Sequence, residues 1–307
     1  MAVVEVSRVT YRYGKRSALR DLDLSIPDGA LYALLGPNGS GKTTLLQILM
    51  GLRRANAGRV TLLGVESSAL TLRERARIGY IAEGQALPKW MRLEQLEAYL
   101  APLYDSWDAA LARDLRTRFD LDPRQVIGTL SRGQHMKAAL LCALAPRPRL
   151  LLMDEPFTGM EVLVKDELVR GLLESSGTEG WTVLLCSHDI GELEALADWV
   201  GFLDAGQMQL SESMEAMHAR FKHVEIAMGE GVADATQVTP ADWMAVERAG
   251  QLVRFLVSHV GDAPLEHLLF AKYPAATRIE VREATLREVF VALAKRPTRR
   301  TLAEVAA

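Results

Sequence analysis

The first fifty residues alternate apolar and polar side chains, as expected for strands with one buried face. Leu22, Leu24 and Ile26 occupy every second position of DLDLSI, and VVEV near the N-terminus alternates in the same way. An unbroken apolar run, LYALL, then stops at Gly36, and TTLLQILMGL beyond it has helical spacing. The pattern predicts a strand, a glycine-rich turn and a helix over residues 31–52.

Further along, short apolar runs alternate with helical patterns. RLLLMD (149–154) and TVLLCSH (182–188) are uninterrupted apolar runs of strand length, which suit a parallel sheet covered on both faces. The segment 92–118 has helical spacing, and a second helix is expected after LSRG. Alternating buried strands and helices predict an α/β domain with a mainly parallel sheet.

The pattern changes between Ser211 and Phe221. HVEIAM and LVRFLV are strand-like, PLEHLLFAKYP is helical, TRIEVRE is strand-like, and TLREVFVALAK is a last helix. Thr285 and Glu288 form the T-x-x-E pattern of a capping box at the start of that helix. We therefore predict a small α+β domain over residues 222–307, interpreted as a packing or dimer-support domain.

Composition narrows the classes of function. The chain has 307 residues, 49% of them apolar, so it can form two soluble globular domains. Its formal net charge of -3 gives no support for general binding along nucleic acid, and no nucleic-acid partner is expected. Cys142 and Cys186 lack metal or disulfide spacing and are interpreted as reduced core thiols of a cytosolic protein. No signal peptide and no apolar run of ~18–20 residues is recognised, so any membrane role is expected to come through a partner.

Residues 36–43, GPNGSGKT, match the pattern G-x-x-x-x-G-K-[ST] in full. Glycines let backbone N–H groups curl around phosphate oxygens, and the N-terminus of the following helix adds a favourable dipole. Lys42 would reach the β and γ phosphates, and the hydroxyl of Thr43 would bind Mg²⁺. The alternative, a glycine-rich turn with an exposed lysine, is disfavoured by the strand and helix on either side. The residues predicted to bind nucleotide here are Gly36, Pro37, Asn38, Gly39, Ser40, Gly41, Lys42, Thr43 and Thr44.

The apolar run 150–153 ends in two carboxylates, Asp154 and Glu155. A carboxylate at the mouth of a buried strand is costly unless it meets a cation, and Mg²⁺ supplies one. Asp154 is therefore the candidate for binding Mg²⁺, through a water molecule. Glu155 would polarise the attacking water. An ordinary strand end is the alternative, and the phosphate loop upstream favours the functional interpretation.

With these motifs the chain resembles the nucleotide-binding subunits of ABC transporters, of the bacterial exporter type, from about residue 3 to 210. LSRGQ (130–134) is similar to the family's signature motif and lies between the phosphate loop and the Asp-Glu pair. The resemblance implies that two subunits sandwich two ATP molecules, with the signature of one facing the γ-phosphate held by the other. The signature residues predicted to contact nucleotide are Ser131, Gly133 and Gln134. Arg132 stands where the family usually has a glycine.

The resemblance also implies an architecture. We expect a P-loop NTPase core with a mainly parallel sheet, an N-terminal antiparallel β subdomain, a helical subdomain at about 84–140, and a small C-terminal α+β extension. The ATP-binding domain is predicted to span residues 1–215, and the accessory domain residues 222–307.

Two more side chains match the family pattern. His188, at the end of an apolar strand, resembles the switch histidine, which would contact the γ-phosphate and orient Glu155 as its catalytic partner; a structural histidine is the alternative. Tyr13, just before Gly14, matches the aromatic residue that stacks on adenine. Tyrosine is also common in strands for structural reasons, and Tyr11 is the alternative candidate for the stacking role.

The chain departs from the family at the residue that touches Mg²⁺ and the membrane partner. Glu83 stands where the family has a glutamine, and Gln85 is a substitute only if the loop slips by two residues. The distance to the following MRLEQL segment favours Glu83. A carboxylate binds Mg²⁺ as an amide oxygen does, but it adds negative charge beside the triphosphate, so altered coupling is expected. The predicted metal ligands are Thr43, Glu83 and Asp154.

Three further segments have less specific patterns. Met160 and Glu161 replace the family's leucine–aspartate pair, which communicates between the two sites of the dimer. Trp90 and Met91 lie where the family builds the groove for the membrane subunit, with core packing as the alternative. A disordered basic tail is favoured over a lipid-binding patch for Arg296, Arg299 and Arg300.

These observations lead to one hypothesis of function. We expect a subunit that binds Mg-ATP and hydrolyses it to ADP and phosphate, powering a separate transmembrane permease, with export the favoured direction by analogy. Its partners would be the permease and a second nucleotide-binding subunit, either an identical chain or a close paralogue. Its location would be peripheral, at the cytoplasmic face of the cell membrane.

Two alternatives remain. A soluble ABC ATPase acting on DNA or ribosomes would carry a long coiled coil before the signature or a second set of motifs, and the chain has neither. A regulator that binds ATP without hydrolysing it would have lost catalytic residues, and Lys42, Glu155 and His188 are all present.

Overall fold

The computed structural model describes residues 2–158, 160, 165, 180–191, 193–194, 197–229, 243–258 and 265–295. The strands in these ranges are β1 (Ala2–Tyr13), β2 (Arg16–Pro27), β3 (Leu31–Leu35), β4 (Ala57–Leu62), β5 (Val65–Glu66), β6 (Ile78–Ile81), β7 (Leu150–Asp154), β8 (Thr182–Ser187), β9 (Trp199–Asp204), β10 (Gln207–Ser213), β11 (Phe221–Met228), β12 (Trp243–Ala249), β13 (Leu252–Ser258) and β14 (Ala276–Glu283). The α-helices are α1 (Lys42–Leu49), α2 (Leu72–Arg75), α3 (Leu93–Leu100), α4 (Ala109–Arg118), α5 (Arg132–Leu144), α6 (Met214–Arg220), α7 (Leu265–Lys272) and α8 (Leu286–Ala294).

The chain forms two compact units, Met1–Ser211 and Glu212–Ala307. The division falls four residues before the predicted end of the first domain at residue 215. Helix α6, which begins in the segment where the sequence pattern changes, belongs to the second unit and leads directly into β11.

The first unit is built on a six-stranded sheet in the order β10-β9-β3-β8-β7-β6. Strands β9, β3, β8, β7 and β6 run parallel to one another. Every residue of β3, β7 and β8 is buried, which explains why these three strands have uninterrupted apolar sequences instead of alternating ones. The predicted P-loop NTPase core with a mainly parallel sheet is confirmed.

A second, antiparallel sheet with the order β2-β1-β4-β5 lies in the same unit. Its strands alternate buried and exposed residues, as the N-terminal pattern predicts. One continuous apolar core includes side chains from both sheets and from α1, among them Leu22, Leu46 and Leu184. The predicted N-terminal antiparallel subdomain is therefore confirmed.

The helical segment predicted over residues 92–118 is interrupted. Helix α3 ends at Leu100 and gives way to a short 3-10 turn, Ala101–Leu103, which contains Pro102. Helix α4 starts anew at Asp108, whose carboxylate accepts hydrogen bonds from the backbone N–H groups of two following residues. Proline has no N–H and cannot continue a helix, so the apolar spacing alone overestimated the length of this helix.

The second unit has a four-stranded antiparallel sheet in the order β12-β13-β11-β14. Its core contains Val224, Phe255 and Leu269 from two strands and α7. Trp243 stacks on Phe255 with ring centroids 3.7 Å apart. The small α+β extension predicted from the sequence is confirmed, while β12 and α6 were not predicted.

The two cysteines are free. Burial of its thiol raises the pKa of Cys142 to about 12, and burial raises the pKa of Cys186 well above its usual value. Both groups are therefore neutral thiols at physiological pH.

The predicted capping box of α8 is present. The Thr285 hydroxyl accepts from the N–H of Glu288 at 3.2 Å, and the Glu288 carboxylate accepts from the N–H of Thr285 at 2.9 Å. We expect Thr285→Ala to lower the free energy of unfolding by about 1 kcal/mol, because it leaves a helix N–H without a partner. Urea denaturation measures this change, with Thr285→Ser as the control that keeps the hydroxyl. Equal stability of the alanine variant and the unmodified chain would contradict a stabilising role for the box.

Candidate functional site

Three neighbouring strands of the parallel sheet end at the same edge. The alignment of β3 with β8 sets Leu35 opposite Ser187, and that of β7 with β8 sets Asp154 opposite Cys186. The next residue along each strand begins one of the segments singled out from the sequence. In open parallel sheets ligands bind outside the carboxyl ends of the strands, so the topology itself selects this edge.

The phosphate loop, residues 36–43, joins β3 to α1. Gly41 stands directly before α1 with φ 115°, a conformation that side chains rarely tolerate. A Cβ atom on Gly41 would also lie 2.7 Å from the carbonyl oxygen of Ala18, and one on Gly36 would overlap the carbonyl oxygen of Leu203. The backbone neighbours of the loop therefore require glycine at both positions.

Lys42 is buried at the centre of this loop, with 6% of its side chain exposed. Its Nζ donates to the carbonyl oxygen of Gly36 at 2.7 Å and lies 3.3 Å from Oε1 of Glu155. A lysine that is buried among acceptors stays charged only with such partners. The loop thus holds a cation next to the carboxylate that follows β7.

Glu155 is held by three groups besides Lys42. Its backbone N–H donates to the carbonyl oxygen of Cys186 at 2.9 Å, and its φ of 48° is unusual for a residue with a side chain. Nδ1 of His188 lies 2.8 Å from its Oε2, and the Thr158 hydroxyl donates to the same oxygen at 3.3 Å. The carboxylate is 8% exposed, so it is a fixed, largely desolvated acceptor.

Asp154, the last residue of β7, is a buried carboxylate with 1% exposure. Among the described residues, neither of its oxygens has a hydrogen-bond partner of good geometry. Burial raises the pKa of Asp154; the nearby Thr43 hydroxyl lowers it, and the carboxylates of Glu155 and Glu83 raise it further. This unsatisfied negative charge fits a divalent cation. No group of three or more His, Cys, Asp or Glu side chains in the described ranges forms a metal centre, so such a cation would also need other oxygen ligands.

Glu83 lines the cleft and Gln85 does not. Oε1 of Gln85 instead accepts from the backbone N–H of Ala82 at 3.2 Å, within its own turn. The side chain of Gln85 therefore closes the turn, and Glu83 is the one of the two residues that lines the cleft. The alternative of a loop slipped by two residues has no support in this geometry.

Tyr13 forms the outer wall of the cleft. Its hydroxyl lies 3.3 Å from that of Thr44, and 43% of the residue is exposed. The guanidinium of Arg53 lies 4.9 Å from the ring centroid of Tyr13, and the Tyr11 ring meets Tyr13 edge-on at 5.0 Å. Tyr11 does not line the cleft. Of the two tyrosines, Tyr13 is the one available to a ligand.

A cleft of about 700 Å³ lies at this edge of the sheet, and Asp154 is not among the residues that line it. Its lining consists of Tyr13, Arg16, Ala18, Asn38, Gly39, Ser40, Gly41, Lys42, Thr43, Thr44, Glu83, Glu155, Thr158 and His188. Gly36 and Pro37 complete the loop without lining the cleft. Arg16, Ala18 and Thr158 were not singled out from the sequence; a two-residue turn between Tyr13 and Arg16 was the signal that could have found Arg16.

The signature residues lie elsewhere in the chain, at the start of α5, and do not line this cleft. The Ser131 hydroxyl accepts from the N–H of Gln134 at 3.2 Å, and the Gln134 side chain accepts from the N–H of Ser131 at 3.0 Å. This capping box leaves the hydroxyl hydrogen of Ser131 free to donate outward. Arg132, the first residue of the helix, is exposed beside it.

Several other predicted residues are placed outside the cleft or outside the described ranges. Trp90 is 79% exposed, and its neighbour Met91 is partly buried. Met160 is partly buried, but Glu161 is outside the described residues, as are Arg296, Arg299 and Arg300. None of the helices in the described ranges has the length and hydropathy to cross a membrane.

Comparison with known proteins gives a consistent result. Residues 19–158 match the family model described as ABC transporter. The chain is 36% identical over 215 residues to the sulfate/thiosulfate import ATP-binding protein CysA 1 of Chromobacterium violaceum, a match that covers 67% of this chain and 60% of that protein. It is 31% identical over 284 residues to the CysA protein of Ralstonia nicotianae, covering 83% of this chain and 76% of that one. The chain thus spans about 60% of the length of the first of these relatives.

Solved structures share the fold. The structure described as the ATP binding subunit of an ABC transporter superposes with a TM-score of 0.64 at 24% identity, covering 70% of this chain and 92% of the other. The ATP-binding cassette MJ0796, described as a dimeric post-hydrolysis state bound to ADP and Pi, superposes with a TM-score of 0.62 at 24% identity, covering 69% and 98%.

These findings correct one expectation. Both of these CysA relatives are named import proteins, so the exporter type expected from the sequence has no support from them. The phosphate loop, the edge where β3, β7 and β8 end, and the match to curated relatives agree on the broader assignment. The chain belongs to the ABC transporter family of ATP-binding proteins.

Proposed function

We propose that this chain binds ATP with Mg²⁺, hydrolyses it to ADP and phosphate, and drives a transmembrane permease that is a separate chain. The observation that carries the proposal is that Glu155 contacts both Lys42 and His188 at the end of the sheet. A phosphate-binding cation and a proton acceptor are the two groups that phosphoryl transfer to water needs from the protein.

Binding would use the loop and the tyrosine. The N–H groups of residues 39–43 and the ammonium of Lys42 would hold the phosphates, and the exposed ring of Tyr13 would stack on the base. Lys42 is already bound to Glu155, so a γ-phosphate would draw the ammonium away from that carboxylate. Nucleotide binding would thereby free Glu155 for its part in hydrolysis.

Hydrolysis would rest on Glu155. Its Oε1, the oxygen that Lys42 would release, would align a water molecule and accept a proton from it as the water attacks the γ-phosphorus, while Oε2 stays bound to His188 and Thr158. Nδ1 of His188, 2.8 Å away, would donate to the carboxylate and hold it in that orientation, and Nε2 could donate to the phosphate at the same time only when both ring nitrogens carry protons. His188 therefore acts on the same carboxylate that accepts the proton.

The metal ion would be held by Asp154, Thr43 and Glu83, consistent with the unsatisfied Asp154 carboxylate. When bound, Mg²⁺ would offset the negative charge of the phosphate oxygens. Glu83 adds a full negative charge where the family has an amide, so it would lower the net positive charge that the triphosphate meets.

A second subunit would complete each site. Ser131 and the N–H of Gly133 lie at the start of α5, outside the cleft of their own chain, with the Ser131 hydroxyl able to donate. A head-to-tail dimer would bring them to the γ-phosphate held by the partner. The MJ0796 cassette of similar fold, described as dimeric and bound to ADP and Pi, is consistent with this proposal.

Family membership supports a permease partner and a location at the cytoplasmic face of the membrane. Trp90, the most exposed aromatic side chain among the described residues, would contribute to the permease contact. The cleft would bind nucleotide and not cargo, so the direction of transport would be a property of the permease. Import is the direction named for the relatives.

The proposal is tested by isolating the tagged chain from membranes with its permease. We expect phosphate release that requires Mg²⁺, that is faster in the membrane complex than for the chain alone, and that stops when the permease is separated and the chain diluted below its dimerisation range. Nucleotide binding without phosphate release, in the complex as well as in the isolated chain, would contradict the proposal and favour the regulator that binds ATP without hydrolysing it.

A further inference from the structure

The hairpin of β1 and β2 sets Arg16 beside Tyr13. A two-residue turn, Gly14 and Lys15, joins the strands, and Tyr13 pairs directly with Arg16 across it. Gly14 has φ 57°, which this tight turn requires. Directly paired residues in an antiparallel ladder carry their side chains on the same face of the sheet. The turn therefore sends an aromatic ring and a guanidinium to the same side.

The phosphate loop lies on that side of the hairpin. Nη2 of Arg16 lies 3.5 Å from the position that a Cβ atom on Gly39 would occupy, and both residues line the cleft. Among the described residues, no carboxylate lies within ion-pair distance of Arg16. Its guanidinium is exposed to solvent, and the cleft lining also contains the carboxylates Glu83 and Glu155 and the cation Lys42. Arg16 is thus a cation next to the phosphate loop that has no carboxylate partner in the described part of the chain, so it is available to bind an anion.

Lys42, the other permanent cation of the lining, is engaged by Gly36 and Glu155. Arg16 differs from Lys42 because no carboxylate of the described residues engages it. It also differs in shape, since a guanidinium presents several N–H donors in one plane that can bind two phosphate oxygens at once. Lys15, next along the turn, does not line the cleft although its side chain is also exposed. Arg16 and Lys15 therefore carry the same charge, and only Arg16 lines the cleft.

We propose that Arg16 binds the phosphate chain of the nucleotide, so that one hairpin supplies both the ring for the base, Tyr13, and a cation for the phosphates. This inference rests on the proposed nucleotide binding and adds a residue to it. Because the two side chains share one short turn, the spacing between the base contact and the phosphate contact is fixed by backbone hydrogen bonds.

Arg16→Ala and Lys15→Ala form a matched pair, since each removes one positive charge from the same turn. Isothermal titration calorimetry of the full chain with Mg-ATP measures the dissociation constant at low and at high sodium chloride. We expect Arg16→Ala to raise the dissociation constant about 3- to 10-fold at low salt and Lys15→Ala to change it less than twofold. Salt screens exposed charges, so the difference between the two variants should shrink at high salt. Thermal unfolding curves verify that both variants are folded.

Equal affinities of the Arg16→Ala and Lys15→Ala variants for Mg-ATP would overturn the inference, as would a loss of affinity that salt does not diminish, since that would indicate a change of loop shape. Lys42→Ala, titrated in parallel, separates this result from the proposed function. Loss of affinity in Lys42→Ala with no effect of Arg16→Ala removes only the role of Arg16. Retained affinity in Lys42→Ala removes the nucleotide site itself and the inference with it.

Discussion

Glu155→Gln is expected to lower the rate of ATP hydrolysis about 100-fold or more, because a general base contributes on the order of 100- to 10,000-fold and an amide cannot accept the proton. ATP affinity should be retained or become tighter. The carboxylate of Glu155 competes with phosphate for Lys42 at 3.3 Å, and the amide would compete less. Phosphate release at saturating ATP measures the rate, and calorimetry measures the affinity.

Because the two subunits would separate only after hydrolysis, this variant should also accumulate as a dimer in the presence of Mg-ATP, as seen by size-exclusion chromatography. Glu94→Gln, which removes a carboxylate from the exposed first turn of α3, is the matched control and should behave as the unmodified chain. An unchanged rate of hydrolysis in Glu155→Gln would exclude this carboxylate as the catalytic base.

Lys42→Ala is expected to abolish tight nucleotide binding. Removing one member of a buried charge pair costs about 2–5 kcal/mol, which corresponds to a rise of roughly 30-fold to several thousand-fold in the dissociation constant. The loss should be larger than for Arg16→Ala, because Lys42 is 6% exposed whereas the guanidinium of Arg16 is in solvent. Calorimetric titration with Mg-ATP measures the change.

This substitution also leaves Glu155 without its cation, so stability has to be measured alongside binding. A folded Lys42→Ala variant that binds Mg-ATP with the affinity of the unmodified chain would contradict the assignment of residues 36–43 as a phosphate site. Combining Lys42→Ala with Glu155→Gln tests the contact itself. The thermal stability lost in the single lysine variant should be partly regained in the double variant, since the second change removes the uncompensated buried charge.

Features that depend on nearby residues could be predicted from the sequence. The glycine spacing of residues 36–43 predicts the phosphate loop, in which side chains at Gly36 and Gly41 would clash with nearby backbone. The apolar runs of β3, β7 and β8 predict buried strands. The capping box of Thr285 and Glu288 forms as its spacing indicates. Spacing along the chain specifies the loop motif and the capping box, and the requirement to bury both faces of a strand specifies the apolar runs.

Other features were missed or misjudged. The length of the helix after residue 92 was overestimated, since the apolar spacing continued past Pro102 while the backbone could not. The change of pattern predicted between Ser211 and Phe221 includes the division between the units at Ser211 and Glu212, but α6 in this segment was not predicted. Direction of transport was inferred by analogy alone, and the curated relatives do not support export.

The sequence by itself determined the phosphate loop, the acidic pair after β7 and the buried strands β3, β7 and β8, because local spacing and strand burial specify them. Only the tertiary structure decided which side chains meet. Lys42, Glu155 and His188 are separated by up to 146 positions and come together because β3, β7 and β8 are neighbours in one parallel sheet. The place of Arg16 beside Gly39 likewise depends on how the β1–β2 hairpin packs over the loop. Such proximity is a property of strand order and packing, and no run of residues encodes it.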